Sequence, residues 1–214
     1  MDVLDALRAA GDPARAAEMA AYMRGQFPFL GVPTPVRRAA TGEFLRTADK
    51  TRVDWGFVGR CWDQPEREFQ YLAVDYLMAR RRTLTPDDLP TLRRLIVTKS
   101  WWDTVDGLDQ PVGDIALRHP AVRATMLAWS VDDDIWVRRV AIDHQLLRKE
   151  RTDTALLEQI LVNNLGRTEF FITKAIGWAL RDYSKTDPER VRRFIDTHRD
   201  GLAALSVREG SKYL

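Results

Sequence analysis

Two tryptophans, one aspartate and a set of cations can be placed on one helical face. Trp102 and Asp106 are four positions apart, so on a helix the indole and the carboxylate are neighbours one turn apart. Setting the small residues Ala39, Ala73, Gly107, Ala141 and Ala175 at zero and stepping about 100° per residue puts Val74, Leu108, Ile142 and Ile176 near about 100°, a core direction. An arc from about 160° to 300° then collects Arg37 and Arg38, Trp102 and Asp106, Arg139 and His144, and Lys174, Trp178 and Arg181. A carboxylate in such a place can stabilise developing positive charge or position a water. Indole faces attract cations, and guanidinium groups fork onto phosphates. The plainer reading puts the indoles in the core, the aspartate in an ion pair, the arginines on a solvated face and Asp106-Gly107 in a turn. The presence of Trp102, Asp106 and Trp178 on one arc favours a site.

The elements that must position these residues are helices. Apolar residues recur at helical spacing along nearly the whole chain. The runs are the one opening at Leu4 and Leu7, then 14–25, 35–48, 53–62, 66–82, 86–98, 102–117, 120–129, 134–149, 153–164, 169–184, 188–199 and 201–212. Prolines fall at several run starts, where a missing N–H costs nothing. Asp153 and Thr168 are expected N-caps. No alternating strand pattern stands out, so an all-α protein is expected. The small residues at 39, 73, 107, 141 and 175 recur every 34 positions, as a solenoid of helical hairpins requires. A single domain of stacked helical hairpins over 1–214 is expected, in which the small residues let helices approach closely and the array offers a concave face.

Composition agrees with a folded chain and narrows its chemistry. The 214 residues are 45% hydrophobic and 30% charged, with a net charge of only +2. Six of the 33 basic residues are lysines, which leaves 27 arginines, and there are seven tryptophans. Net charge counts the whole surface whereas binding depends on one face, so +2 does not exclude a polyanionic partner. The single cysteine, Cys61, excludes an internal disulfide framework and a Cys-rich zinc site. His119, His144 and His198 lack zinc-hydrolase spacing. No apolar run approaches a membrane span, and the opening Met1-Asp2-Val3-Leu4-Asp5 lacks a signal-peptide pattern. A cytoplasmic protein is expected.

At these residues the chain resembles the AlkD-like family of DNA alkylation-repair glycosylases, built from HEAT-like repeats. The likeness covers nearly the whole chain. It is carried by 19–32 and Thr34-Pro35-Val36-Arg37-Arg38, by Lys99-Ser100-Trp101-Trp102-Asp103-Thr104-Val105-Asp106, by Trp136-Val137-Arg138-Arg139-Val140-Ala141-Ile142, by 169–185 and by Arg208-Glu209-Gly210-Ser211-Lys212-Tyr213-Leu214. The resemblance implies duplex DNA along a concave face and hydrolytic excision of N3- and N7-alkylated purines. It adds a nucleoid-associated monomer that needs no cofactor or metal. It puts the catalytic aspartate on Asp106, the lesion-facing tryptophans on Trp102 and Trp178, and the DNA-contacting arginine on Arg139. Arg37, Arg38, Lys174 and Arg181 would hold further phosphates. Asp143 and His144 stand where the resemblance leads one to expect more apolar residues. The competing readings are a non-catalytic HEAT-like scaffold for a protein or for DNA structures, and a lyase using Lys174, for which nothing in the sequence depresses the amine pKa.

Overall fold

The computed structural model describes residues 2–214. Among them there are thirteen α-helices and no strand, an α-solenoid of helical hairpins. The described residues group into two compact units, 2–84 and 85–214.

The first unit holds α1 (Val3–Ala9), α2 (Pro13–Tyr22), α3 (Thr34–Thr47), α4 (Trp55–Asp63) and α5 (Arg67–Ala79). Asp12 and Asp54 cap α2 and α4 by accepting backbone N–H groups of the first turns. Leu7, Phe69, Leu72, Ala73 and Leu77 are fully buried where α1 and α5 pack on α3 and α4. Glu68, also fully buried, accepts the N–H groups of Leu30, Gly31 and Val32, which ties the loop before α3 to α5. Arg80 closes the far end by donating to the carbonyls of Leu45 in the last turn of α3 and of Ala48 and Asp49 just after it.

The second unit holds α6 (Leu89–Ile96), α7 (Trp102–Arg118), α8 (Arg123–Trp129), α9 (Ile135–Asp143), α10 (Thr154–Val162), α11 (Phe170–Ser184), α12 (Pro188–Thr197) and α13 (Ala204–Gly210). One row runs α7, α9, α11, α13, each helix packed on the next. The partners α6, α8 and α12 pack on α7, α9 and α11. Helices α3, α5, α7, α9 and α11 begin at 34, 67, 102, 135 and 170, intervals of 33 or 35 that match the 34-residue repeat of small residues.

Most expected helix limits hold within a turn, and the exceptions have local causes. The run ending at Lys149 stops at Asp143, because Leu147 and Lys149 take left-handed backbone angles and the Leu147 N–H goes to Asp182. The run ending at Gly25 stops at Tyr22, before Arg24 and Gly25 at φ 56° and 68°. Asp153 caps α10 through the Leu156 N–H, as expected. Thr168 does not cap α11: Glu169 holds that position, without a side-chain capping bond.

Of the five periodic small residues, Ala73, Ala141 and Ala175 are fully buried, Gly107 is half-buried and Ala39 is exposed. The tightest helix contacts fall on other glycines. A Cβ on Gly113 would lie 2.2 Å from the His144 carbonyl oxygen, and one on Gly177 would lie 2.6 Å from Glu209 Cβ. Backbone on the far side of Gly113 cannot rotate away, so Gly113→Ala is expected to destabilise the fold by about 3 kcal/mol, read by denaturant unfolding. An unchanged midpoint would show that α7 and α9 separate freely.

Candidate functional site

The densest chemistry lies where α7, α9, α11 and α13 pack side by side. Trp101 caps the start of α7 in extended backbone and packs its ring against Trp136 and Phe171, at 5.8 and 5.1 Å. That aromatic wall fixes where α7 begins. Trp102 is the first helical residue, partly exposed, and Asp106 follows one turn later. Pro111 lies inside the same helix; with no N–H it leaves the Gly107 carbonyl, next to Asp106, without its helical donor.

Both carboxylate oxygens of Asp106 are held by Arg139 of α9. Nε donates to Oδ1 at 2.6 Å and a terminal nitrogen donates to Oδ2 at 2.8 Å, the planar fork that suits arginine. The other terminal nitrogen donates to the Phe171 carbonyl at 2.6 Å. The Arg139 side chain is 2% exposed and that of Asp106 is 22%. The carboxylate is therefore oriented from beneath and open above. Burial acts to lower the Arg139 pKa, but the Asp143 charge and the hydrogen bond and charge of Asp106 together outweigh it and raise it, so the guanidinium remains a cation.

Trp178, half-buried on α11, receives three cations. The guanidinium carbon of Arg139 is 5.1 Å from its ring, Lys174 Nζ 5.9 Å and the Arg181 guanidinium 6.0 Å. Lys174 and Arg181 are anchored from α13 by Glu209, at 3.1 and 3.0 Å, and Lys212 joins them at 3.0 Å. Hydrogen bonds from Lys212 and Lys174 hold the Glu209 carboxyl at about 2. The cluster of three cations on one carboxylate leaves two positive charges beside Trp178.

Asp106, Arg139 and Trp178 are thus brought together as the arc predicts, with Trp102 one turn from Asp106. Four placements differ from it. Arg139 is not an outward cation; its guanidinium is buried and occupied by Asp106 and Phe171. Arg37, in the first unit, is buried against Asp75 at 3.2 Å and over the Tyr71 ring, whereas its neighbour Arg38 is exposed. His144 is buried and unavailable: Nδ1 lies 2.7 Å from the Ala141 carbonyl, and burial followed by the Arg148 charge pushes its pKa down to about 3. Val74 is only half-buried, whereas Leu108, Ile142 and Ile176 occupy the core.

The sequence reading did not include Asp109, Glu209 and Lys212 in the site, and it noted Asp143 only as unusual. Asp109 is three residues after Asp106 and Asp143 four after Arg139, spacings that put each on its neighbour's face. That signal was available. Glu209 needs the packing of α13 on α11 and had none. Cys61, in the first unit, is buried with its thiol pushed up to about 12 by desolvation, which makes it an inert core residue. Among the described residues no group of histidine, cysteine and carboxylate side chains could hold a metal ion, and no helix is long and apolar enough to cross a membrane.

The chain is thus an all-helical repeat array with a carboxylate held in a guanidinium fork near one cation-bearing indole, Trp178. The model of the DNA alkylation repair enzyme family matches residues 3–214, and the chain belongs to that family. A solved structure described as a predicted DNA alkylation repair enzyme from Enterococcus faecalis is 35% identical, with a TM-score of 0.88 over 95% of this chain and 96% of that one. No curated protein matches.

Proposed function

We propose that the chain is a monofunctional DNA glycosylase, which hydrolyses the N-glycosidic bond of cationic N3- and N7-alkylated purines in duplex DNA. The observation that carries the reading is Asp106, held in a two-point fork by a buried arginine, partly open to solvent and one helical turn from an indole. An alkylated purine is positively charged and a good leaving group. Breaking its glycosidic bond moves positive charge onto the deoxyribose. A carboxylate fixed in a site of low dielectric stabilises that charge without having to reorient, and an oxygen lone pair not used by Arg139 can direct a water at C1′. Trp102 and Trp178 flank the nucleotide, present ring faces to its charge and limit the entry of water.

Exposed Arg38 and the pair Lys174 and Arg181 supply contacts to phosphates, which give position and salt-dependent affinity but read no sequence. Arg139 acts chiefly on Asp106, and Arg37 acts within its own unit. The protein works as a monomer on the nucleoid, needs no metal or organic cofactor, and takes its place at the start of base excision repair.

The deciding experiment is release of 7-methylguanine and 3-methyladenine from methylated duplex DNA, identified by mass, together with formation of unbroken abasic sites. Free base with intact abasic strands is expected. Strand scission at the abasic site would mean a lyase, and DNA binding without base release would mean a non-catalytic scaffold.

A further inference from the structure

The fork that holds Asp106 is not exclusive to it. Arg139 Nε, 2.6 Å from Asp106, is also 3.7 Å from Asp143 Oδ2. Asp143 is 2% exposed, and its Oδ1 is buried without a hydrogen-bond partner. Asp109, on α7 three residues beyond Asp106, is 3% exposed and also has an unpartnered oxygen. One guanidinium therefore lies among three carboxyl groups, bonded to Asp106 and 3.7 Å from Asp143, and Asp143 and Asp109 are wholly buried. A buried carboxylate without compensation takes up a proton rather than remaining charged, so the three cannot all be ionised.

We infer that Asp143 is a positioning residue for Asp106: it draws on the same guanidinium, and its gain or loss of a proton sets how much of the Asp106 negative charge is left to act on a cationic base. The inference rests on the glycosylase reading for its effect on rate, and on the Asp106–Arg139–Asp143 geometry for everything else.

The protonation states follow from position. Burial first, then the Asp143 and Asp106 charges, push Asp109 well above the carboxylate range, so it is the neutral member of the group. Burial and the Asp106 charge push Asp143 up to about 7, against the pull of Arg139. From the helices packed on α9, Arg93, Asp114, Arg118, Arg123, Glu158, Lys174 and Arg181 are each paired elsewhere and Asp182 accepts the Leu147 N–H, and the charges that act on Asp143 are those of Arg139 and Asp106. Below neutrality Asp143 is protonated, and Asp106 with Arg139 sums to zero charge. Above it Asp143 is an anion and balances Arg139, so the Asp106 charge is unopposed. A developing sugar cation is then stabilised more strongly at higher pH.

The test compares single-turnover base release by the wild-type chain and by Asp143→Asn on the same methylated duplex, so that any titration of the substrate is common to both. The ratio of wild-type to variant rate is expected to grow about tenfold between about pH 6 and pH 8.5, the effect of one added charge at this separation in a medium of intermediate dielectric. A constant ratio across that range would reduce Asp143 to a structural role and overturn the inference. Carboxyl-carbon NMR of the DNA-free wild-type chain provides the second readout and needs no variant: Asp143 should titrate near neutrality and the Asp106 signal should move with it. If Asp143 does not titrate, the inference falls even where bases are released. Coupled titration without any base release would instead refute the glycosylase reading and leave the shared guanidinium standing.

Discussion

Asp106→Asn is expected to lower single-turnover release of 7-methylguanine by about 100- to 1000-fold, the range found when one preorganised electrostatic group is removed from an active site. The substitution keeps the shape of the side chain and removes its charge. One fork arm of Arg139 can still be accepted by the amide oxygen, while the amide nitrogen faces the other arm donor to donor. Arg139 nonetheless keeps a carboxylate within reach, since Asp143 is 3.7 Å from its Nε, so the buried cation is not abandoned. The variant should therefore fold and bind methylated duplex nearly as the wild type does. The measurements are base release under enzyme excess, with circular dichroism and a binding titration on the same preparation. Release at the wild-type rate would remove Asp106 from the reaction and with it the proposed mechanism.

Arg139→Ala should be costly in a second way. It removes the single cation from among Asp106, Asp109 and Asp143, and breaking a buried pair by deleting one partner destabilises by about 3–5 kcal/mol. For a chain of this size that is a fall in Tm of roughly 10 °C. The loss should be smaller at low pH, where protonation of Asp143 removes one of the uncompensated charges. Base release should fall as well, because Asp106 loses its fork. Arg139→Lys should restore part of the stability but little of the rate, since an ammonium supplies charge without planar two-point geometry. The salt dependence of DNA binding separates the two roles considered for this residue. A positioning residue leaves the slope of log affinity against log salt unchanged in Arg139→Ala. A slope shallower by about 0.9 would mean that the guanidinium holds a phosphate in the complex, as the sequence arc suggests.

Helical periodicity was readable because each amphipathic helix reports its own buried stripe. The 34-residue interval was readable because α3, α5, α7, α9 and α11 begin at regular intervals of 33 or 35 residues. Termination was less so. The end of α9 at Asp143 depends on the Leu147 N–H finding Asp182, which is 35 residues away, and no local pattern announces that bond. The closeness at Gly113 is likewise set by the His144 carbonyl across the helix interface. A search for small residues at one period therefore found the repeat and missed its tightest contact.

Taken alone, the sequence determined the helical class, the repeat length and the shared face of Trp102 and Asp106, because all three follow from spacing along one chain. It also determined the likeness that points to Asp106, Trp102, Trp178 and Arg139. The tertiary structure decided what each cation does. Arg139 and Arg38 are both exposed arginines on a helical wheel, yet one is buried in a fork and the other is open to solvent. A wheel gives direction from a helix axis and not what occupies that direction. For Arg139 the occupant is Asp106, and for Lys174 and Arg181 it is Glu209. Burial removes the competing water, so those pairings, and not the +2 net charge of the chain, govern the electrostatics of the site.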